Sequence, residues 1–327
     1  MSLNASSRER FDETMQNKMI CIVGPTASGK TALSIALAKE MNAEIISGDS
    51  MQIYKGMDIG TAKPTEEEMD GVPHHMLSIA SPSENFSVAR YVEEASRVAD
   101  DIICRGKIPI VVGGTGLYID SLVRGRTFAK NEENGELREE LTKIYEKDGA
   151  DVLHKILESL DPARAAEIHK NNVKRVIRAI EVCKLSGKTI TEHDEETKKI
   201  PPKYDAAYIG IEFPDRKVLW DRIHLRVDMM MAEGLLDEVR MLLDSGISTD
   251  TTAMQAIGYK ELCAYFAGDK TLTEAVEDIK TATRRYAKRQ MTWFKRNESI
   301  KWVSPDLSEK FPDILQYLIN FTSAGAV

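Results

Sequence analysis

The eight residues Gly24-Pro-Thr-Ala-Ser-Gly-Lys-Thr31 constrain the fold more than any other part of the chain. They match the pattern G-x-x-x-x-G-K-[ST], and their flanks supply the context that the pattern needs. Residues 19–23 ahead of them form a short, apolar, β-prone run that reads as a buried strand. Behind them, residues 32–41 place Leu33, Ala36 and Leu37 on one helical face. A strand that turns through glycines into a helix gathers backbone N–H groups around an anion, and the helix N-terminus adds partial positive charge. Lys30 brings a full charge, and Thr31 a hydroxyl suited to Mg²⁺. Gly24, Pro25, Thr26, Ala27, Ser28, Gly29, Lys30 and Thr31 are therefore candidate ligands of a diphosphate or polyphosphate, with Thr31 the candidate metal ligand. The motif leaves open which compound is bound, and whether phosphate is transferred or lost.

The alternation of strand and helix continues. Strands are expected at 44–47, 108–112, 206–212 and 300–303, and a helix at 88–105, where Val88, Val92, Ala95, Val98, Ala99 and Ile102 recur three or four apart. Strands alternating with helices imply a parallel α/β sheet with ligands at its C-terminal strand ends. Between about 126 and 197 the strand signal disappears. Helical periodicity takes over at 137–145, 151–159, 163–169 and 173–186, and the charged stretch 191–199 reads as a solvated connection. Long helices are expected again at 216–232, 235–245, 259–267 and 272–297. The organisation is thus a polar, flexible leader (1–18), an α/β core (19–125 and 198–327) and an all-helical insertion (126–197).

Composition narrows the setting. Of 327 residues, 42% are hydrophobic and 29% charged, which excludes a disordered chain. The four cysteines, Cys21, Cys104, Cys183 and Cys263, are widely spaced and form no CxxC pair, as expected of reduced thiols in a cytoplasmic protein. No apolar run is long enough for a transmembrane helix, so no membrane association is expected.

The usual companions of a phosphate-binding loop in a kinase are missing. The strand expected at 108–112 ends in Gly113-Gly114-Thr115, not in the aspartate of a Walker-B strand. Asp49 does follow the second strand, where it can hold Mg²⁺, act as a base toward a bound acceptor, or cap a turn. His74 and His75 are adjacent, so they do not project the same way. No third ligand is near, and a structural role is favoured over a metal pair.

Further blocks sit beside the loop: residues 47–54 (SGDSMQIY), 58–64 (DIGTAKP), 72–75 (VPHH) and 113–118 (GGTGLY). Others are 172–181 (NVKRVIRAIE), 254–261 (MQAIGYKE) and 283–294 (TRRYAKRQMTWF). This series, over about residues 19–303, resembles the bacterial tRNA dimethylallyltransferases, also called tRNA isopentenyltransferases. The resemblance implies a P-loop NTPase-like parallel sheet flanked by helices. It also implies transfer of a dimethylallyl group from dimethylallyl diphosphate to N6 of the adenosine at tRNA position 37, beside the anticodon, with diphosphate as leaving group and Mg²⁺ as cofactor. Asp49 is then the base that takes the N6 proton, Thr115 orients the amine, and Arg226 reaches the diphosphate, with Arg222 as the alternative. Ser50, Met51 and Gln52 would contact the flipped nucleotide. Ser78 departs from the resemblance, standing where relatives often carry an acidic residue.

Charge distribution suits an RNA partner despite a net charge of −8. Residues 164–188 hold seven basic side chains against two acidic, and residues 280–301 eight against one, the latter interleaved with Tyr286, Trp293 and Phe294. The resemblance assigns Arg138, Lys174, Arg175, Arg178, Gln255, Tyr259 and Lys260 to the anticodon stem-loop of tRNA. Arg284 and Arg285 join them from the second basic segment, and a monomer is expected. A small-molecule or nucleotide kinase, turning over ATP without RNA, is the competing enzyme reading. A non-catalytic RNA-binding module is the third, and leaves the loop and Asp49 without purpose.

Overall fold

In the computed structural model, residues 17–126, 128 and 135–324 are described, so the leader falls outside the described residues except for Asn17 and Lys18. The described residues divide into two compact units, one within Met1–Gly125 and Lys203–Val327, the other within Arg126–Pro202.

The first unit is built on a six-stranded sheet of β1 (Lys18–Val23), β2 (Ala43–Ser47), β3 (His74–His75), β4 (Ile108–Gly113), β5 (Asp205–Ile211) and β6 (Ile300–Val303). The order is β3-β2-β4-β1-β5-β6, and every pairing is parallel. The central strands are mostly apolar, with Lys18, Glu44 and Asp205 near their N-terminal ends, because both faces of the sheet are covered. On one face Ile20, Ile22, Ile45, Ile110 and Ile209 pack against Leu33 and Leu37 of α1 (Lys30–Met41), with Ile314 and Leu318 of the C-terminal helix. Their neighbours one residue on, Cys21, Ile46 and Val111, point to the other face, as the two-residue period of a strand requires. That face is covered by α3 (Val88–Cys104) and α4 (Gly116–Arg124), after the single turn α2 (Glu66–Met69). Tyr91 of α3 stacks on Tyr118 of α4 with ring centres 4.1 Å apart, and donates its hydroxyl hydrogen to Ser47 O at the end of β2.

The second unit carries α5 (Gly135–Leu160), α6 (Pro162–Glu167), α7 (Val173–Ser186) and α8 (Ile190–Lys199), and its described elements are all helical. Gly149, at φ 83°, kinks α5 where the sequence pattern breaks between two helices. Leu141, Leu153, Leu157, Val176 and Ile180 form a core of its own. Residues 191–199 are a helix and not a connection. Thr189 accepts from Glu192 N while Glu192 reaches back to Thr189 N, a capping box that outweighs the poor apolar periodicity of a highly charged segment. The expected boundary at 197 therefore falls inside α8. Buried Asp161 caps α6 through Arg164 N and also takes the N–H and hydroxyl of Thr191, tying α8 to the unit.

In the first unit the chain continues through α9 (Arg216–Ala232), α10 (Leu235–Asp244), α11 (Tyr259–Phe266), α12 (Leu272–Phe294) and α13 (Leu307–Ser323). Helices α9 and α12 lie by the glycine loop Gly24–Thr31, where Leu219, Ile223 and Ala287 pack with Ala27.

A candidate active site at the strand ends

β1, β4 and β2 are neighbours in the sheet, so the three turns that follow them share one edge. The first turn is the glycine loop. Gly24 has φ +147°, and a Cβ there would lie 2.9 Å from Ile211 O, so the position needs glycine twice over. Gly29, left-handed at φ 90°, opens α1 without a side-chain cap, leaving its first N–H groups for a ligand. Ser28 is buried with its Oγ unpartnered. Lys30 folds back on the loop, its Nζ donating to Pro25 O at 2.6 Å. Burial, and then the Arg226 charge, push its pKa down to about 7, with Asp49 pulling the other way.

Two arginines one turn apart on α9 reach the same loop. Arg222 Nε donates to Ala27 O at 2.8 Å, and an Arg226 guanidinium nitrogen lies 3.5 Å from Thr26 Oγ1. Burial, followed by the Arg222 charge, lowers the pKa of Arg226. Lys30, Arg222 and Arg226 thus direct their hydrogens at backbone and hydroxyl oxygens. Among the described residues none has a salt-bridge carboxylate, and Glu68 and Glu233 act on Arg226 only through space. Gathering like charges in this way, with Lys30 and Arg226 partly buried, is unfavourable until an anion enters.

The second and third turns meet backbone to backbone. A Cβ on Gly113 would fall 2.3 Å from the carbonyl of Gly48, which accepts from Thr115 N at 3.2 Å. Asp49 sits just beyond. Its Oδ1 accepts from Met51 N at 2.8 Å, an Asx turn that fixes the carboxylate. Burial raises its pKa, opposed by the Met51 N–H, the Lys30 charge and the Gln52 N–H. The capping and base readings of Asp49 are therefore compatible, since the turn aims the group that would act. Thr115 Oγ1 accepts from Ser50 N at 3.1 Å and lies 3.2 Å from Ser50 Oγ. Gln52 accepts from Ser47 Oγ and donates to Thr61 O and Ala62 O, so it braces the pocket rim.

Of these groups Thr26, Asp49, Ser50 and Arg226 line a cavity of about 240 Å³, whereas Lys30, Arg222 and Thr115 are not among its lining residues. Thr26, Asp49, Ser50, Arg226 and Tyr286 form its polar end, and Ile223, Val227, Met230, Leu235 and Ile279 its apolar wall. A second cavity of about 460 Å³, lined by Thr31, Lys63, Arg222 and Arg226, shares Arg226 with it.

Three contributors lie outside the site assigned from sequence: Gln290, Tyr286, which the sequence places only among the aromatics of the basic segment, and Glu238. Gln290 is 4% exposed, accepts from Thr26 N at 2.9 Å and donates to Gly114 O at 3.1 Å. The Tyr286 hydroxyl lies in hydrogen-bonding range of Thr115 and Gln290, and burial raises its pKa to about 12. Glu238 accepts from the backbone N–H groups of Asp58, Ile59 and Gly60 at 2.7, 2.8 and 3.1 Å. The signal available for the first two was helical spacing, since Ile279, Tyr286, Gln290 and Phe294 share the inner face of α12.

The residues expected to bind RNA divide. Lys174 and Arg175 are exposed on α7. Arg138 forms a two-pronged ion pair with buried Glu181, and Arg178 lies 3.5 Å from the same carboxylate, so both shape the helical unit. Gln255 and Lys260 are exposed, Gln255 lining the cavity. Arg285 is exposed, and Arg284 stacks over Trp220 at 5.8 Å. Tyr259 corrects the expectation: it is 0% exposed and donates to Glu238 at 2.5 Å, with no surface left for RNA. His75 hydrogen-bonds Glu44 at 2.8 Å, beside Arg105 and Lys107, and His74 bonds Val72 O. Glu44 opens β2, away from the C-terminal edge. Ser78 accepts from Lys63 Nζ at 2.8 Å, the task an acidic residue would otherwise perform. Among the described residues no three His, Cys, Asp or Glu side chains converge as a metal site, and no helix is long and apolar enough to cross a membrane.

A family model described as IPP transferase matches residues 52–297, and one described as isopentenyl transferase matches 17–83. A tRNA dimethylallyltransferase of Acetivibrio thermocellus is 49% identical over 302 residues, covering 92% of this chain and 96% of that protein. One from Bacillus subtilis is 52% identical over 284 residues, covering 87% and 90%. Among solved structures, the tRNA isopentenylpyrophosphate transferase from Bacillus halodurans matches with a TM-score of 0.71 at 44% identity, over 95% of this chain and 98% of that one. A eukaryotic dimethylallyltransferase acting on tRNA matches with a TM-score of 0.78 at 33% identity, over 94% and 80%.

Proposed function

The chain belongs to the IPP transferase family, that of the tRNA dimethylallyltransferases, and on this premise we propose how its residues divide the work of prenyl transfer to tRNA. The reaction moves a dimethylallyl group from dimethylallyl diphosphate to N6 of the adenosine at tRNA position 37. The allylic C–O bond breaks with its electron pair leaving on diphosphate, the N6 lone pair forms the C–N bond, and N6 gives up a proton.

The observation that carries the assignment of roles is one cavity with opposite ends. Arg226 and Asp49, whose pKa is raised, line that cavity beside an apolar wall, while Lys30 and Arg222, like Arg226 without a salt-bridge carboxylate among the described residues, hold the glycine loop next to it. The cations and the α1 amides would take the diphosphate and stabilise the charge that grows as the bond breaks. An anion there returns Lys30 to full charge. The aliphatic wall suits a branched five-carbon chain, and Asp49 would accept the N6 proton, which a conjugated amine must lose as it is alkylated. Thr115, beside Ser50, would orient that amine. Arg226 is the better candidate than Arg222 for following the leaving group, because it lines the cavity while Arg222 is committed to Ala27 O.

The residues also suit Mg²⁺. Thr31 offers one hydroxyl in the first turn of α1, and among the described residues no three carboxylates converge as a metal site, which fits an ion that keeps waters and draws its other ligands from phosphate. When bound, Mg²⁺ would neutralise charge on the departing diphosphate. The exposed cations of α7 and α12 would hold the tRNA backbone while the adenosine is flipped inward. We further read the enzyme as a cytoplasmic monomer.

Labelled dimethylallyl diphosphate with unmodified tRNA tests the reading: label is expected in the RNA, at the adenosine next to the anticodon. Diphosphate-independent RNA binding without transfer would leave only a binding module. ATP turnover without RNA would favour a kinase.

A further inference from the structure

We propose that Gln290 is a positioning residue for the transfer, holding the diphosphate cradle and the acceptor edge in register through one side-chain amide. The inference rests on the prenyl-transfer reading above. Gln290 Oε1 takes the N–H of Thr26, within the cradle, and its Nε2 gives a hydrogen to Gly114 O, the residue before Thr115. These partners are 264 and 176 residues away in sequence, so no local structure explains the pair of contacts. An amide offers an acceptor and a donor on two separate atoms of one uncharged side chain, so it can bridge two backbone groups. A glutamate would set oxygen against Gly114 O, and a methionine of similar shape would satisfy neither group.

The surrounding backbone is adapted to this approach. A Cβ on Gly114 would lie 1.9 Å from Gln290 Nε2, and one on Gly116 2.1 Å from the Trp293 ring. The run Gly113-Gly114-Thr115-Gly116 is therefore a seat for α12 as well as a turn. Two residues of the helix anchor the seat: Trp293 donates to Asp120 at 2.7 Å, and Tyr286, one turn before Gln290, reaches Thr115. The cradle fixes the leaving oxygen, and Asp49 with Thr115 fixes the attacking nitrogen. Gln290 touches neither substrate, but it sets the distance between the two halves. Small misplacements of reacting atoms cost rate far more than affinity, of order 10²-fold for about 1 Å.

The test compares wild type, Gln290→Met and Tyr286→Phe in single-turnover and steady-state transfer, with melting curves in the presence and absence of inorganic diphosphate. Gln290→Met is expected to lose about 10²-fold in single-turnover rate, with both KM values within about threefold of wild type and the diphosphate-induced rise in Tm retained. Tyr286→Phe keeps the ring and its packing, so it tests the same link if Gln290→Met does not fold; about a tenfold loss is expected, again in rate and not KM. Wild-type rates in both variants overturn the proposal. So does a loss carried wholly by KM, or one that tracks Tm and abolishes the diphosphate shift, which would make Gln290 a packing residue. Wild-type protein that transfers no label overturns the prenyl-transfer reading, and this proposal with it.

Discussion

Tyr259 donates its phenolic hydrogen to Glu238 at 2.5 Å, beneath the loop that walls the cavity. The same carboxylate gathers the N–H groups of Asp58, Ile59 and Gly60, and the Tyr259 ring occupies the place a Cβ on Gly60 would need. The pair therefore sets the position of Gly60, Thr61 and Ala62. Tyr259→Phe removes one hydrogen bond to a buried carboxylate and should cost about 1.5–3 kcal/mol in denaturant unfolding. Glu238→Ala should cost more, because three backbone donors lose their acceptor. Affinity for tRNA should be unchanged in Tyr259→Phe. A loss of RNA binding at unchanged stability would return Tyr259 to the interface.

Asp49 is expected to impose an acid limb on the reaction. Its folded pKa lies above the ordinary carboxylate value, and only the ionised form can accept the N6 proton. The rate constant for transfer should be flat at high pH and fall as pH drops through that raised value. Asp49→Asn should remove the limb and about 10²–10⁴-fold of the rate while tRNA binding persists. The same shift has a sign for stability. A carboxylate whose pKa is raised on folding opposes the folded state once pH passes its unfolded value, near 3.8. The asparagine variant should then melt higher than wild type at neutral pH, with the difference vanishing in acid. A variant that melts lower at neutral pH would mean that the Lys30 attraction outweighs burial.

What could be read in the chain and what could not divides along physical lines. The glycine loop, the apolar strands and most helix limits depend on neighbours in sequence, so Asp49 and Thr115 could be placed at strand ends from their own flanks. Helix α8 was hidden because its signal is a capping box in a charged segment, not an apolar stripe. Helix α13 carries Pro312 inside it, which obscures a helical pattern in the sequence, although Ile314 and Leu318 pack on the sheet. Gln290 and Glu238 gain their roles only when residues far apart in sequence meet. A glutamine on a basic helix otherwise reads as solvated, and a glutamate as a helix-dipole partner. Arg138 and Arg178 show the same limit from the other side: their contact with buried Glu181 is not visible in a run of basic residues.

The glycine loop should respond to anions as an overcharged cradle would. Replacing Arg226 by Met relieves repulsion with Arg222 and Lys30, so the ligand-free protein is expected to melt higher than wild type. Its transfer rate should fall by about 10²–10³-fold, the range for losing one donor to a developing oxyanion. Inorganic diphosphate should raise the Tm of wild type through binding to the folded state, and raise that of Arg226→Met much less. An equal diphosphate shift in the two proteins would separate Arg226 from the leaving group and favour Arg222.

The basic face of α7 makes a prediction that separates surface from scaffold. Lys174 and Arg175 are exposed, whereas Arg138 and Arg178 meet Glu181, whose side chain is only 4% exposed. Neutralising Lys174 and Arg175 together should weaken tRNA binding and lower the slope of log K against log salt by about 1.4–1.8, the amount for two phosphate contacts. Helical content and Tm should not change. Arg138→Ala should act the other way. It strips a two-pronged partner from a buried carboxylate, so it should lower the melting temperature of the helical unit and alter the salt slope little. Equal salt slopes in wild type and the Lys174/Arg175 variant would remove this face from the RNA interface. A slope lowered by Arg138→Ala at unchanged Tm would give that arginine a phosphate contact.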